Sequence, residues 1–271
     1  KLKTRLTELW NFEKYSPPYQ EGGRYFFSKN DGLQNQSVLY TTTSLAGTPT
    51  VLLDPNTLAQ DGTAALGGMS VSHDGKLLAY GIAAAGSDWQ EWKVRDVATG
   101  KDLPDVLKWI KFTGAAWTAD NKGFYYGRFD EPKGKEFESV NFFHKLYFHR
   151  LGTPQAQDTL VYERKDHKDW QFVPTVTDDG RYLIVTVAKG TDDKYRILYQ
   201  DLSQPGSKLI ELIDNFDAEY TFLDNDGPVF WFKTDLNAPR GKVIAIDTRK
   251  PQAKDWKELI PQSADNLAGV S

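Results

Sequence analysis

The side chains able to attack, ligate or shuttle protons form a short inventory in this 271-residue chain. Cysteine is absent, which excludes disulfides, thiolate metal sites and cysteine nucleophiles. The histidines are His73, His144, His149 and His167. His73 falls in a tight turn, while His144 and His149 flank one strand at an odd separation that puts them on opposite faces, where they cannot share a metal. No carboxylate cluster completes a zinc or calcium ligand set, so neither metal nor cofactor is expected. Asp178-Asp179 and Asp192-Asp193 read as turn residues. A serine nucleophile needs a strained G-x-S-x-G elbow after a buried strand, followed by an acid and a histidine. Gly269-Val270-Ser271 supplies at most the first three letters, and Ala264 to Ala268 does not resemble a buried strand. With no P-loop or dinucleotide fingerprint either, the chain is expected to contribute no catalytic residue.

What the chain carries repeatedly is a turn built on Gly or Asn and followed by aromatic and aliphatic residues. It occurs at Gly22-Gly23-Arg24-Tyr25, Asp74-Gly75-Lys76-Leu77, Asp120-Asn121-Lys122-Gly123-Phe124, Asp179-Gly180-Arg181-Tyr182 and Asp226-Gly227-Pro228-Val229. From Gly23 to Gly75, Asn121, Gly180 and Gly227 the steps are 52, 46, 59 and 47 residues. A strand-rich repeat of roughly 40 to 50 residues predicts an all-β fold, a β-propeller of four-stranded antiparallel blades. The modules run over about 15–58, 66–110, 112–165, 170–215 and 218–262, and 263–271 opens a sixth. Lys1 to Tyr15 reads as an amphipathic approach segment stopped by Ser16-Pro17-Pro18. The first blade's strands are expected at Tyr25 to Lys29, Ser37 to Thr43 and Thr48 to Leu53. Later inner strands are expected at Gly67 to Ser72, Gly114 to Thr118, Val173 to Thr177 and Tyr220 to Leu223. An antiparallel meander puts all the tight turns on one rim. The opposite rim collects the dissimilar loops 30–36, 83–90, 130–141 and 189–194, and functional side chains are to be sought there.

Hydrophobic residues make up 39% and aromatics 13% of the chain, which suits strands packing broad side chains between stacked sheets. The net charge of −4 is scattered without a basic stripe, so nucleic acid is not an expected partner. No apolar run approaches the ~20 residues of a membrane span, and residues 1–7 carry no signal-peptide core. No membrane partner is expected, and the lack of cysteine favours a cytoplasmic home.

Several segments carry a resemblance: Thr7-Glu8-Leu9, the stretch from Asp31-Gly32-Leu33-Gln34-Asn35-Gln36 to Tyr40, Leu53-Asp54-Pro55-Asn56, Tyr80-Gly81 with Gly86-Ser87-Asp88-Trp89, and Leu212-Ile213-Asp214-Asn215-Phe216. They resemble the prolyl oligopeptidases along essentially the whole chain. The resemblance implies a seven-bladed propeller, of which about five blades are here, capping an α/β-hydrolase domain whose Ser, Asp and His triad cleaves short peptides after proline. The chain would then gate and contact substrate, with short proline-containing peptides and the hydrolase domain of the same polypeptide as its partners.

The same resemblance implies site residues. Phe112 matches an aromatic bordering the bound peptide, an apolar wall for a proline ring. Gln171, Ala188 and Thr191 stand where the animal enzymes resemble one another in a methionine, an arginine and a cysteine near the substrate, so Gln171 and Thr191 become altered substrate contacts. Losing the arginine removes a donor to a peptide carbonyl. Asp88, with Trp89 beside it, matches an aspartate facing an arginine of the hydrolase domain, an interdomain latch. The alternatives are a free-standing scaffold propeller binding a peptide or protein on its variable rim, and a sister peptidase family with basic-residue specificity.

Overall fold

In the computed structural model, which describes residues 1–59, 63–83, 86–132 and 141–270, the repeated phrase closes a hairpin in each of five sheets. Three of these turns are built alike. The hydroxyls of Ser72, Thr118 and Thr177 donate to Asp74, Asp120 and Asp179 at 2.7, 2.8 and 2.6 Å. The same carboxylates accept the backbone N–H of Lys76, Lys122 and Arg181 at 3.1, 3.1 and 2.9 Å. Between them Gly75, Asn121 and Gly180 adopt φ of +69°, +55° and +68°, a region open to glycine and tolerated by asparagine. Burial tends to raise the pKa of Asp74 and Asp179, but the hydroxyl and amide donors outweigh it, and all three carboxyls lie below their ordinary values.

The first sheet contains β1 (Lys14–Tyr15), β2 (Tyr19–Glu21), β3 (Arg24–Asn30), β4 (Val38–Thr42) and β5 (Thr50–Leu53). The second contains β6 (Ala65–Val71), β7 (Leu77–Ala83), β8 (Gln90–Asp96) and β9 (Asp102–Ile110), and the third β10 (Ala116–Trp117), β11 (Gly123–Arg128), β12 (Lys145–Arg150) and β13 (Thr159–Glu163). The fourth contains β14 (Trp170–Val176), β15 (Tyr182–Lys189), β16 (Arg196–Asp201) and β17 (Ile210–Ile213), and the fifth β18 (Tyr220–Asp226), β19 (Val229–Thr234), β20 (Lys242–Asp247) and β21 (Lys257–Ile260). In each the strands follow chain order, and the fold is all-β, five antiparallel blades of a β-propeller.

Three details depart from the sequence expectation. The first blade has an innermost position that the sequence reading omitted: β1 and β2 both pair with the edge of β3, Lys14 opposite Asn30 and Tyr19 opposite Phe26, with Pro17-Pro18 interrupting the line between them. The approach segment is a helix, α1 (Leu2–Trp10), without a buried residue. The third inner strand shrinks to two residues. Of the variable loops, 84–85 and 133–140 lie outside the described residues.

The chain divides into two compact units, residues 1–124, 128–140 and 148–159 in one and 125–127, 141–147 and 160–271 in the other. In the first, Phe26, Leu39 and Leu53 of the first sheet pack against Val71, Leu78 and Tyr80 of the second. Arg95 fastens the same pair of sheets, donating to the Leu52 carbonyl at 2.9 Å while ion-paired to Asp102 at 2.7 Å. In the second unit, Ile184, Ile197 and Tyr182 of the fourth sheet meet Tyr220, Phe230, Phe232 and Ile244 of the fifth. Burying such a side chain contributes about 1.5–3 kcal/mol.

His149 of β12 is wholly buried, with Nδ1 2.7 Å from Asp158 Oδ1 and Nε2 3.0 Å from Asp105 Oδ1. Asp105 also accepts the Gly152 N–H at 2.6 Å. Both ring nitrogens face carboxylate oxygens, which suits an imidazolium with two donors. Burial disfavours that charge, but Asp158 and then Asp105 outweigh it and raise the pKa above its ordinary value. A raised folded-state pKa contributes stability that is complete below the unfolded value of about 6.5 and is lost as pH rises through the folded value. Urea unfolding of the full-length protein should therefore show a loss of stability as pH rises above about 6.5 that His149→Gln lacks. The substitution itself should cost about 3 kcal/mol at pH 6 by removing the cation that faces two buried carboxylates. Equal pH slopes in the two proteins would mean that the imidazole is neutral.

Candidate functional site

Two loops of the first unit carry three of the residues that the sequence marks as candidates, Asp88, Trp89 and Phe112. One joins β7 to β8 and carries Asp88, which is exposed, and Trp89, which is half-buried. Its descending end is anchored by Gln90, whose side chain accepts the Trp92 indole N–H at 2.9 Å. Gly67 and Gly81 leave the space this pair occupies; a Cβ at either would collide with the Gln90 side chain. Ser87 Oγ accepts the Trp89 N–H at 3.1 Å.

The second loop is the crossover from β9 to β10. Trp109 and Phe112 both adopt left-handed backbone, φ +64° and +56°, which costs an L-residue roughly 1–2 kcal/mol at each position. Aromatic packing compensates. The Trp89 ring meets Trp109 edge-on at 5.7 Å and Phe129 at 6.0 Å, and the Trp109 carbonyl accepts the Phe129 N–H at 2.9 Å. Lys111 lies with its ammonium 3.8 Å above the centre of the Trp89 ring, and burial lowers its pKa against the opposing attraction of Asp88. Phe112 follows, 49% exposed, an aromatic ring held at the surface by strained backbone. Sequence reasoning singled out Phe112, Asp88 and Trp89 but missed Lys111 and Trp109.

Gln171 and Thr191 belong to the second unit. Gln171 is the second residue of β14 and pairs with Ala188 of β15, and Thr191 lies in the exposed turn just beyond β15. Beside Gln171 stands a cluster the sequence did not announce. Trp170 has His167 stacked on it at 4.0 Å and the guanidinium groups of Arg164 and Arg196 at 4.8 and 4.9 Å. Arg164 is paired with Asp166 at 2.8 Å and Arg196 with Glu211 at 3.1 Å. The strand pair that lacks an arginine at Ala188 is thus bordered by two others, each already engaged with a carboxylate. His144, at the foot of β12, accepts the Phe172 N–H at 3.0 Å and is so buried that its pKa drops to about 3, which leaves it a neutral packing group. Among the described residues no three His, Asp or Glu side chains are arranged to hold a metal ion. Among the described residues no helix is long and apolar enough to cross a membrane.

Sheets of this pattern, antiparallel meanders each closed by a tight turn, define a β-propeller domain. The chain belongs to the prolyl oligopeptidase family: the family model for the prolyl oligopeptidase N-terminal β-propeller domain matches residues 1–271. It is 38% identical over 267 residues to a prolyl endopeptidase of Elizabethkingia meningoseptica, an alignment covering 98% of this chain and 37% of that protein. Prolyl oligopeptidase A of Galerina marginata is 33% identical over 290 residues, covering 96% of this chain and 39% of its own length. Among solved structures, a prolyl endopeptidase studied for the role of inter-domain dynamics in catalysis and specificity superposes with a TM-score of 0.86 at 33% identity, over 99% of this chain and 38% of that one. Prolyl oligopeptidase B from Galerina marginata, bound to a 35-residue hydrolysis and macrocyclisation substrate, gives 0.86 at 29% identity, over 97% and 40%. The chain therefore spans less than half the length of the relatives it matches.

The strain at Phe112 can be measured directly. Phe112→Gly and Phe112→Ala lose the same ring, but only glycine takes up positive φ without cost, so the glycine variant of the full-length protein should be more stable by about 0.5–1 kcal/mol in chemical denaturation. An alanine variant as stable as the glycine one would mean that the backbone at 112 relaxes on losing the ring.

Proposed function

We propose that this propeller gates and contacts substrate in a prolyl oligopeptidase whose full-length form hydrolyses short peptides after proline, in the cytoplasm. The observation that carries the proposal is Phe112, an exposed ring fixed in left-handed backbone on the rim that also carries the Asp88 loop. Such a ring is of little use to the propeller's own core and offers a flat apolar wall to a proline side chain. Gln171 and Thr191 contribute polar contacts to the peptide in place of a cation. Asp88 pairs with a cation of the hydrolase domain. An exposed pair of this kind is worth at most about 1 kcal/mol, enough to bias opening but not to hold two domains shut. The nucleophile, base and oxyanion donors are supplied by the hydrolase segments of the full-length protein.

In the full-length enzyme Phe112→Ala should lower kcat/KM for a chromogenic Gly-Pro substrate by roughly 5- to 150-fold, the equivalent of about 1–3 kcal/mol of lost ring contact. Residues 1–271 alone should give no turnover. A specificity constant unchanged by the substitution, together with a large fall in melting temperature, would make Phe112 a packing residue and remove the main support for substrate contact.

A further inference from the structure

Lys111 is only 6% exposed, an unusual place for an ammonium group when leucine or methionine would fill the same space without a charge to desolvate. Its position in the chain is equally specific. Ile110 and Lys111 form the short link between two left-handed residues, Trp109 and Phe112. Ile110 is sunk in the core. Lys111 reaches the other way, onto the Trp89 indole of the neighbouring loop, whose ring is fixed in turn by Trp109 and Phe129. One attachment that joins the crossover bearing Phe112 to the loop bearing Asp88, beside the Trp89–Trp109 contact, is therefore a cation on an aromatic face, an interaction that strengthens when water is excluded. Strained backbone persists only where its surroundings over-determine it, and here the surroundings include that ammonium.

We propose that Lys111 is a positioning residue: seated on Trp89, it holds Phe112 in its outward, left-handed arrangement and couples that arrangement to the Asp88 loop. The proposal rests on the reading of Phe112 as a wall of the substrate site. It implies that the substrate wall and the interdomain contact are not independent, because one side chain restrains the segments carrying both.

The test uses the full-length enzyme with Lys111→Met, which keeps the length and removes the charge, and Lys111→Arg, which restores a cation able to sit on the ring. Steady-state kinetics on a chromogenic Gly-Pro peptide are combined with amide hydrogen exchange over residues 106–114. Lys111→Met should raise KM about 5- to 10-fold with kcat within about 2-fold, and Lys111→Arg should return KM to within about 2-fold of the parent, in line with a desolvated cation on an indole. The double variant Lys111→Met/Phe112→Ala should be no worse than Phe112→Ala alone, as expected of residues acting through one another. Exchange over 109–113 should quicken about 10-fold or more in the methionine variant and not in the arginine one. Unchanged exchange in Lys111→Met, additive losses in the double variant, or failure of arginine to rescue would overturn the proposal. If Phe112→Ala leaves KM untouched while exchange responds as expected, the substrate-wall reading fails and the positioning role of Lys111 stands.

Discussion

The tight turns of the first two sheets come together backbone against backbone, and that approach exists only where a side chain does not. A Cβ on Gly22 would collide with the Asp74 carbonyl, and one on Gly75 would press on the carbonyl of Glu21. Further along, Asn225 spans from its own turn to Asp179 of the preceding blade at 2.9 Å. Contacts of these two kinds leave little room for insertions in the turns that make them, while the loops at the other ends of the strands differ in length and composition. The uniform rim sets the spacing of the sheets, and the variable rim is free to carry specificity.

On that variable rim aromatic rings stand where glycine would be the ordinary choice. Trp109, Phe112 and Phe143 all have positive φ, whereas the other non-glycine residues in this region, Asn121 and Asn237, are of the type that tolerates it. Two of them are compensated by contacts: Trp109 by the Trp89 ring and the Phe129 amide, Phe143 by an N–H donated to the Lys168 carbonyl at 2.7 Å. Cations complete the pattern, with Lys111 on Trp89, Lys168 on Phe142, and Arg164 and Arg196 on Trp170. The loops are stiffened by ring and charge, so a surface of broad flat side chains can be presented without a disulfide in the chain.

The sequence made the hairpins legible because an Asp-Gly or Asp-Asn pair followed by alternating apolar residues has few other conformations available. The strands Arg24–Asn30, Val38–Thr42 and Thr50–Leu53 of the first blade lie within two residues of their expected spans for this reason. The innermost strand of the first blade stayed hidden because its pieces are two and three residues long and separated by prolines that ordinarily signal a break. Asp105 gave no hint of its role, since its partner His149 lies 44 residues away and only the folded sheets bring them together. Phe112 was marked by resemblance alone; its left-handed backbone was illegible, because nothing in an aromatic residue announces positive φ.

The turns with an aspartate carboxylate have a bearing on chemical ageing. An Asp-Gly bond is prone to cyclise to a succinimide when the glycine nitrogen attacks the neighbouring carboxyl carbon, because no side chain obstructs the approach. Asp74-Gly75 and Asp179-Gly180 are both of this type. In each, however, the glycine N–H is already committed to the carbonyl of Ser72 or Thr177, at 2.8 and 2.7 Å. The carboxylate is pinned by a hydroxyl and an amide and held ionised, the form least open to nucleophilic attack. The geometry that closes the hairpins thus also protects their weakest covalent links, and isoaspartate should accumulate at these two bonds only after the turns themselves have opened.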